Sequence, residues 1–489
     1  MSDHKLMAPP VSPQISLDTE RPLCVDLDGT LVKSDTLFDA LMVLGRRQPA
    51  TLLETPFWVL KGKANLKSQV TSRVALDVAT LPYNRPLLAY LRDEYAAGRK
   101  LYLATGADRV LAQRIADHLG IFEDVMASDG AVNLTGSHKL HYLQERFSSD
   151  GFDYVGNAIP DLPLLRGAEQ AMLANPDLRL RAALKGHKVA ISRTFVDRKR
   201  LPAALAKALR VHQWAKNLLV FLPLVLAHSL HLAPAMVALA AFFCFCFIAS
   251  ATYIFNDLLD LESDRIHPSK RNRAFAAGDL SVAAGVAISL LLGTTSLVVA
   301  LYLPRKFLLY LMLYLVTTVA YSAVLKRIVL VDVIILSALY TIRMVAGAAA
   351  TATFISPWLA AFSIFFFLSL AMVKRFSELQ NLRERGAHPT SARGYLLSDL
   401  EQLRSFGTSS AYASIVIFAL YINGHDVAAL YHHPSRMWLM TPLLILWVSR
   451  VWLLASRGVL DEDPVVFALT DRMSLLLGLG VLLIAWSAI

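Results

Sequence analysis

Charge is scarce in this chain of 489 residues: 18% are Asp, Glu, Lys or Arg, against 55% hydrophobic. Mean hydropathy is +0.47. Such a balance excludes an ordinary soluble protein and places much of the chain in a bilayer. Cysteine is scarcer still, three residues in all, which excludes a disulfide framework. Cys244 and Cys246 stand inside an apolar run with no His or acidic neighbour, so they read as small core or lipid-facing residues rather than metal ligands. Residues 1–20 carry Pro, Ser and Asp but lack the apolar core of a secretory signal. They read as a disordered tail that begins in the cytoplasm.

Also missing, from residues 1–210, is any apolar run of the roughly 20 residues needed to cross a bilayer. Beyond Leu218 such runs follow one another, and nine are expected: 217–232, 234–255, 282–302, 307–325, 329–351, 356–373, 408–424, 437–454 and 472–488. With a cytoplasmic start, the loops at 256–281, 326–328, 374–407 and 455–471 fall inside and hold most of the basic residues of this half, as the positive-inside rule asks. The expected organisation is therefore a tail (1–20), a soluble domain (21–191), a basic linker (192–204) and a membrane domain (205–489). The net charge of +10 is shared equally, with 28 Lys and Arg against 23 Asp and Glu up to residue 210 and 20 against 15 beyond it. This excess suits a cytoplasmic face meeting anionic lipid and phosphorylated substrates, and no nucleic-acid partner is expected.

In the soluble part, Leu23-Cys-Val-Asp-Leu-Asp-Gly-Thr-Leu31 reads as a buried strand delivering Asp26 and Asp28 to its C-terminal end, where open α/β sheets bind ligands. One carboxyl could act as nucleophile and the other as acid/base. A second strand ends in Thr105-Gly106, Lys139 opens a helix, and a later strand, Asp153-Tyr-Val-Gly156, leads to Asn157 and Asp161. This ordered series resembles the haloacid dehalogenase superfamily over roughly residues 20–190. The resemblance implies a Rossmann-like α/β fold with a small helical cap at about 36–84, a phosphoryl-accepting nucleophile at Asp26 and a general acid/base at Asp28. It further implies phosphate contacts from Thr105, Gly106 and Lys139, with Mg²⁺ held by Asp26, Asp28, Asn157 and Asp161. Asn157 departs from the pattern, because an amide stands where a carboxylate is usual and hard Mg²⁺ prefers charged oxygen.

In the membrane part, Asn256-Asp257-Leu-Leu-Asp260-Leu-Glu-Ser-Asp264 ends the second apolar run. Its spacing aligns Asp257, Asp260 and Asp264 on one helical face, where close carboxylates repel unless divalent cations lie between them. Lys270, Arg271 and Arg273 follow at once, bases suited to phosphate oxygens. Tyr321, Lys326 and Asp332 form a second cluster, Arg343 lies inside an apolar helix, and Lys374, Arg375 and Glu378 form a third group. The acidic motif, the basic loop and the helix count resemble the UbiA superfamily of intramembrane prenyltransferases, over about residues 205–489. Gln213-Trp-Ala-Lys216-Asn217, the second and third clusters and Ile342-Arg343-x-x-Ala-Gly347 resemble its decaprenyl-phosphate phosphoribosyltransferase branch.

That branch implies an all-α bundle of nine transmembrane helices in the inner membrane, with phosphoribosyl diphosphate as donor and a polyprenyl phosphate as acceptor. It also implies Mg²⁺ on Asp257, Asp260 and Asp264, and Lys216, Lys326 and Arg343 gripping acceptor or ribose 5-phosphate oxygens. A fused phosphatase would then remove the 5-phosphate of the product. Membrane lipids are expected partners, and a homo-oligomer is compatible with the sequence. Two other readings stand beside this one: an aromatic prenyltransferase that binds a prenyl diphosphate on the same acids, and a soluble domain that only senses or scaffolds.

Overall fold

The computed structural model describes residues 21–129, 134–148, 151–228, 231–384, 386, 393–460 and 464–489; the tail expected at 1–20 lies outside them. The chain forms two compact units. The first comprises Met1–Ala208 with Asp257–Val286, and the second comprises Leu209–Asn256 with Ala287–Ile489.

The first unit is built on a six-stranded sheet in the order β3-β2-β1-β4-β5-β6: β1 (Leu23–Val25), β2 (Leu101–Asp108), β3 (Asp124–Ser128), β4 (Asp153–Gly156), β5 (Ala171–Ala174) and β6 (Ile191–Phe195). All pairings are parallel, with Leu23 opposite both Leu101 and Asp153. Side chains alternate between faces. Leu23, Val25, Leu103 and Val155 enter one core, and Cys24, Tyr102, Ala104 and Tyr154 the other. The chain order reverses at β1, so a crevice opens at its carboxyl end. Between β1 and β2 the chain adds the helices Thr36–Arg47, Thr55–Leu60 and Lys63–Arg73. Asp35 starts the first of these by accepting from the amides of Leu37 and Phe38.

One sequence expectation needs correction here. Residues 192–195, read as part of a basic linker, belong to β6, and Leu201–Leu209 is a helix. The charge of Arg193 hid an alternating pattern that fits an edge strand, with Phe195 its one buried residue. The acidic motif and its basic loop, assigned from sequence to the membrane domain, pack within the first unit.

The second unit is helical. Among the described residues, seven helices are long and apolar enough to cross a membrane: Leu232–Leu259, Val282–Leu301, Arg305–Ala323, Val331–Thr351, Pro357–Glu384, Leu397–Ile422 and Pro434–Ser456. An eighth span is reached if Pro464–Thr470 and Arg472–Ala488, bent by 81°, count as one. The expected nine therefore becomes seven or eight. The difference lies in Val211–Leu226, too short by residue count. Its first 11 residues wind as a 3-10 helix and five α-helical residues follow. At rises of about 2.0 and 1.5 Å per residue this segment extends ~30 Å, the thickness of a hydrocarbon core.

Val331–Thr351 and Pro357–Glu384 are the most buried of these helices. Gly347 makes the close packing possible, because a Cβ there would stand 2.1 Å from the Val220 carbonyl oxygen on the 3-10 segment. Gly347→Ala should therefore destabilise the detergent-solubilised protein by about 1–3 kcal/mol, as overpacking does. Thermal unfolding measures this, and an unchanged midpoint would contradict the packing described.

Candidate active sites

At the tip of β1, Asp26 is buried and its Oδ1 accepts a hydrogen bond from Lys139 Nζ at 2.7 Å. Lys139, on the helix Gly136–Arg146, also donates to the Ala104 carbonyl (3.1 Å) and the Tyr154 hydroxyl (2.9 Å). Tyr154 passes the chain on to Asp161 Oδ1 at 2.9 Å. Thr30 Oγ1 lies 3.4 Å from the second oxygen of Asp26. Asp28 Oδ1 accepts from the Thr36 amide at 2.8 Å, which ties it to the first turn of the helix Thr36–Arg47. Gly29 turns the strand away with φ +78°, and a Cβ there would meet Asn157 Nδ2 at 2.1 Å, so Asn157 packs directly against the Asp26–Thr30 turn. Thr105 is buried, with its hydroxyl accepting from the Ala107 amide.

Burial pushes the Asp26 carboxyl up to about 6, against the pull of Lys139. Burial, then the neighbouring Asp35, pushes Asp28 up to about 8. Lys67, on the helix Lys63–Arg73, donates to the Gly106 carbonyl at 2.5 Å; burial lowers its pKa while Asp28, Asp35 and Asp26 pull it back. Sequence reasoning missed Lys67 and Tyr154. The signal for Tyr154 was a polar tip on the buried central strand; Lys67 is one of two lysines in a polar helix. The donor set of Asp26, Asp28 and Asn157 suits a divalent cation, because desolvated carboxyls crowd one turn. Asp161 Oδ2 accepts from the Asn157 and Ala158 amides at 2.9 and 3.2 Å, shaping the turn that presents Asn157.

The acidic motif lies in the same unit. Arg273 Nη1 bridges Asp257 Oδ1 (3.0 Å) and Asp264 Oδ2 (2.7 Å). Burial raises the Asp264 pKa and Arg273 opposes that. Asp260 instead pairs with Arg46 at 2.9 Å. Among the described residues no three His, Cys, Asp or Glu side chains converge as a metal-ligand group. Two carboxylates nevertheless meet one cationic nitrogen, a geometry that suits exchange for a metal ion. Lys270 and Arg271 are exposed beside them. Arg46 also reaches the Leu259 carbonyl and Ser263, and Arg47 takes both oxygens of Glu262 at 2.8 Å. Arg265 is buried against Asp39 (2.7 Å) and Ser34 (3.2 Å). Sequence reasoning also missed Arg46, Arg47 and Arg265, which carry no motif.

In the second unit the structure joins two clusters that the sequence separated. Arg375 Nε donates to Asp332 Oδ2, Nη1 to Glu378 (2.6 Å) and Nη2 to the Tyr321 hydroxyl (3.2 Å). Tyr395 completes Asp332, and Arg393 pairs with Glu378 at 3.0 Å; neither was expected. Arg343 donates to Asn217 Oδ1 (2.8 Å), the Tyr314 hydroxyl (2.9 Å) and the Leu339 carbonyl, all uncharged acceptors. Lys216 lies 5.7 Å from the Tyr340 ring centroid, under the same arginine. Asn256 donates to Ser322 at 3.0 Å. Lys326 is half-buried, and Lys374 neighbours Arg375 on its helix.

The chain belongs to the UbiA prenyltransferase family, whose model matches residues 217–486. It is an integral membrane protein. The uncharacterized protein y4nM of Sinorhizobium fredii is 39% identical over 467 residues, 94% of this chain and 90% of that protein. Nodulation protein NoeC of Azorhizobium caulinodans is 36% identical over 283 residues, 57% of this chain and 90% of NoeC. The decaprenyl-phosphate phosphoribosyltransferase of Mycolicibacterium smegmatis is 32% identical over 298 residues, 59% of this chain and 91% of that enzyme. Likeness to y4nM thus spans nearly the whole fused chain, while little more than half of it accounts for the other two relatives.

The buried pair between Arg265 and Asp39 gives a stability test. Arg265→Met leaves Asp39 charged and buried, which should cost about 3–5 kcal/mol. Arg46→Ala, in a half-exposed pair, should cost under ~1 kcal/mol. Unfolding of the two variants in detergent should show that order, and equal losses would contradict it.

Proposed function

We propose that this chain transfers a 5-phosphoribosyl group from phosphoribosyl diphosphate to a polyprenyl phosphate at the cytoplasmic face of the inner membrane, and that its N-terminal domain then removes the 5-phosphate of the product. The observation that carries the first step is the likeness to an enzyme named for that transfer across 91% of its length. The juxtaposition of Asp257 and Asp264 around one cation supports it. Asp26 and Asp28 at a strand tip beside Lys139 support the second step, together with the resemblance to haloacid dehalogenases.

Mg²⁺, held by Asp257 and Asp264 with Asp260 joining once Arg46 yields, would supply positive charge for the departing diphosphate. The chain's own groups do the rest. Lys270 and Arg271 are placed on the exposed loop to grip phosphate oxygens. Arg343, whose partners are all neutral, keeps its full charge for an anionic substrate group. A polyprenyl phosphate is already ionised near neutral pH, so orientation rather than a strong base is what it requires. In the phosphatase, Lys139 holds one oxygen of Asp26 and leaves the other to attack phosphorus. Asp28, fixed by the Thr36 amide, gives a proton to the ribose oxygen as it leaves and later takes one from water.

Membranes holding the full chain, given labelled phosphoribosyl diphosphate and decaprenyl phosphate, should yield labelled lipid; none would overturn the transfer. Asp260→Ala should lower that yield at least ~1000-fold. Asp26→Asn should still make the lipid but leave its 5-phosphate in place. Undiminished phosphate release by that variant would remove the second step.

A further inference from the structure

The first unit contains a polar cleft of about 820 Å³ that shares only Arg271 with the residues used in the reactions above. Four pieces of chain line it: the loop after the Asp26–Thr30 turn, the segment 79–88, the loop leaving β6, and the loop 265–279. Six of its residues are basic: Lys33, Arg85, Arg198, Lys199, Arg265 and Arg271. Two are acidic, Asp197 and Asp279.

Matching bases with acids leaves a remainder. Arg265 is satisfied by Asp39 at 2.7 Å, Lys33 by Asp197 at 3.4 Å, and Lys199 by Asp279 at 3.9 Å. Among the described residues, no carboxylate pairs with Arg85, Arg198 or Arg271, which come from three different segments. Arg198 is the telling member. It donates one bond to the Lys33 carbonyl, its Nε is buried with no hydrogen-bond partner, and burial lowers its pKa against the pull of Asp279. A half-buried guanidinium whose facing carboxylate, Asp279, makes no ion pair with it is costly, and the exposed Arg85 and Arg271 on the same cleft add like charge. An anion would relieve both penalties, and planar guanidinium forks match phosphate oxygens two at a time. The cleft is in the size range of sites for small organic ligands.

We propose that this cleft binds a phosphate-bearing anion the size of a diphosphate or a sugar phosphate, gripped by Arg85, Arg198 and Arg271. The same chemistry is carried by a free phosphorylated metabolite and by the headgroup of an anionic lipid. The proposal stands whether or not the chain is a phosphoribosyltransferase.

The test uses the full chain in nanodiscs of zwitterionic lipid with EDTA present, so that sites depending on divalent cations stay silent. Calorimetric titration with diphosphate and with ribose 5-phosphate should show saturable binding of at least one. Arg85→Gln with Arg198→Gln should weaken that binding tenfold or more. Should the Arg198 change prevent folding, Arg85→Gln with Arg271→Gln, both at exposed positions, should give the same loss. In a second arm, nanodiscs with phosphatidic acid separate the two sources. Loss of soluble-anion affinity that depends on Arg85 and Arg198 identifies a lipid headgroup as occupant; unchanged affinity identifies the free anion. No saturable binding in the first arm together with no lipid effect in the second, or equal affinity in the variants, overturns the proposal.

Discussion

A carboxylate at the tip of a buried central strand needs a buried cation beside it, and the first unit is arranged around that requirement. Asp26 meets it through Lys139, which reaches it from the helix Gly136–Arg146 and is itself held by Ala104 and Tyr154. One lysine cannot serve Asp26, Asp28 and Asp161 together. Asp161 is therefore absorbed by backbone amides and Tyr154, while Asp28 leans on the Thr36 amide. What remains is a second Asp26 oxygen near the Thr30 hydroxyl and an Asp28 carboxyl fixed by a helix N-terminus, two different environments for two similar side chains.

The acidic motif solves the same problem with arginine. Arg273 bridges Asp257 and Asp264, and Arg46 answers Asp260. In the second unit Arg375 gathers Asp332, Glu378 and Tyr321, so buried charge in the helical bundle is again collected into one network rather than scattered. Arg343 is the contrast, since Asn217, Tyr314 and Leu339 satisfy its donors without cancelling its charge.

How much of this was legible in the sequence follows physical lines. Asp26, Asp28, Lys139 and the acidic motif were readable because their chemistry depends on residue type at fixed local spacing. The parallel sheet was readable because strands buried on both faces are apolar runs. β6 was not, because an edge strand tolerates Arg193 and Thr194 and looks like a polar tether. Val211–Leu226 falls short of a span by residue count because length in residues is a proxy for length in ångströms, and the proxy breaks when a helix rises further per residue. Arg46 and Arg47 act through pairings more than a hundred residues away, and no local pattern encodes those.

The helix Thr36–Arg47 touches both chemistries. At its first residue an amide holds Asp28, and at its last two the guanidiniums hold Asp260 and Glu262. Twelve residues of α-helix make a strut of about 18 Å that bends little. A tilt of one end must be felt at the other, so the Asp28 turn and the acidic motif share a lever. A substitution that shifts this helix at Thr36 also shifts the grip of Arg46 and Arg47, which couples two carboxylate clusters inside one unit.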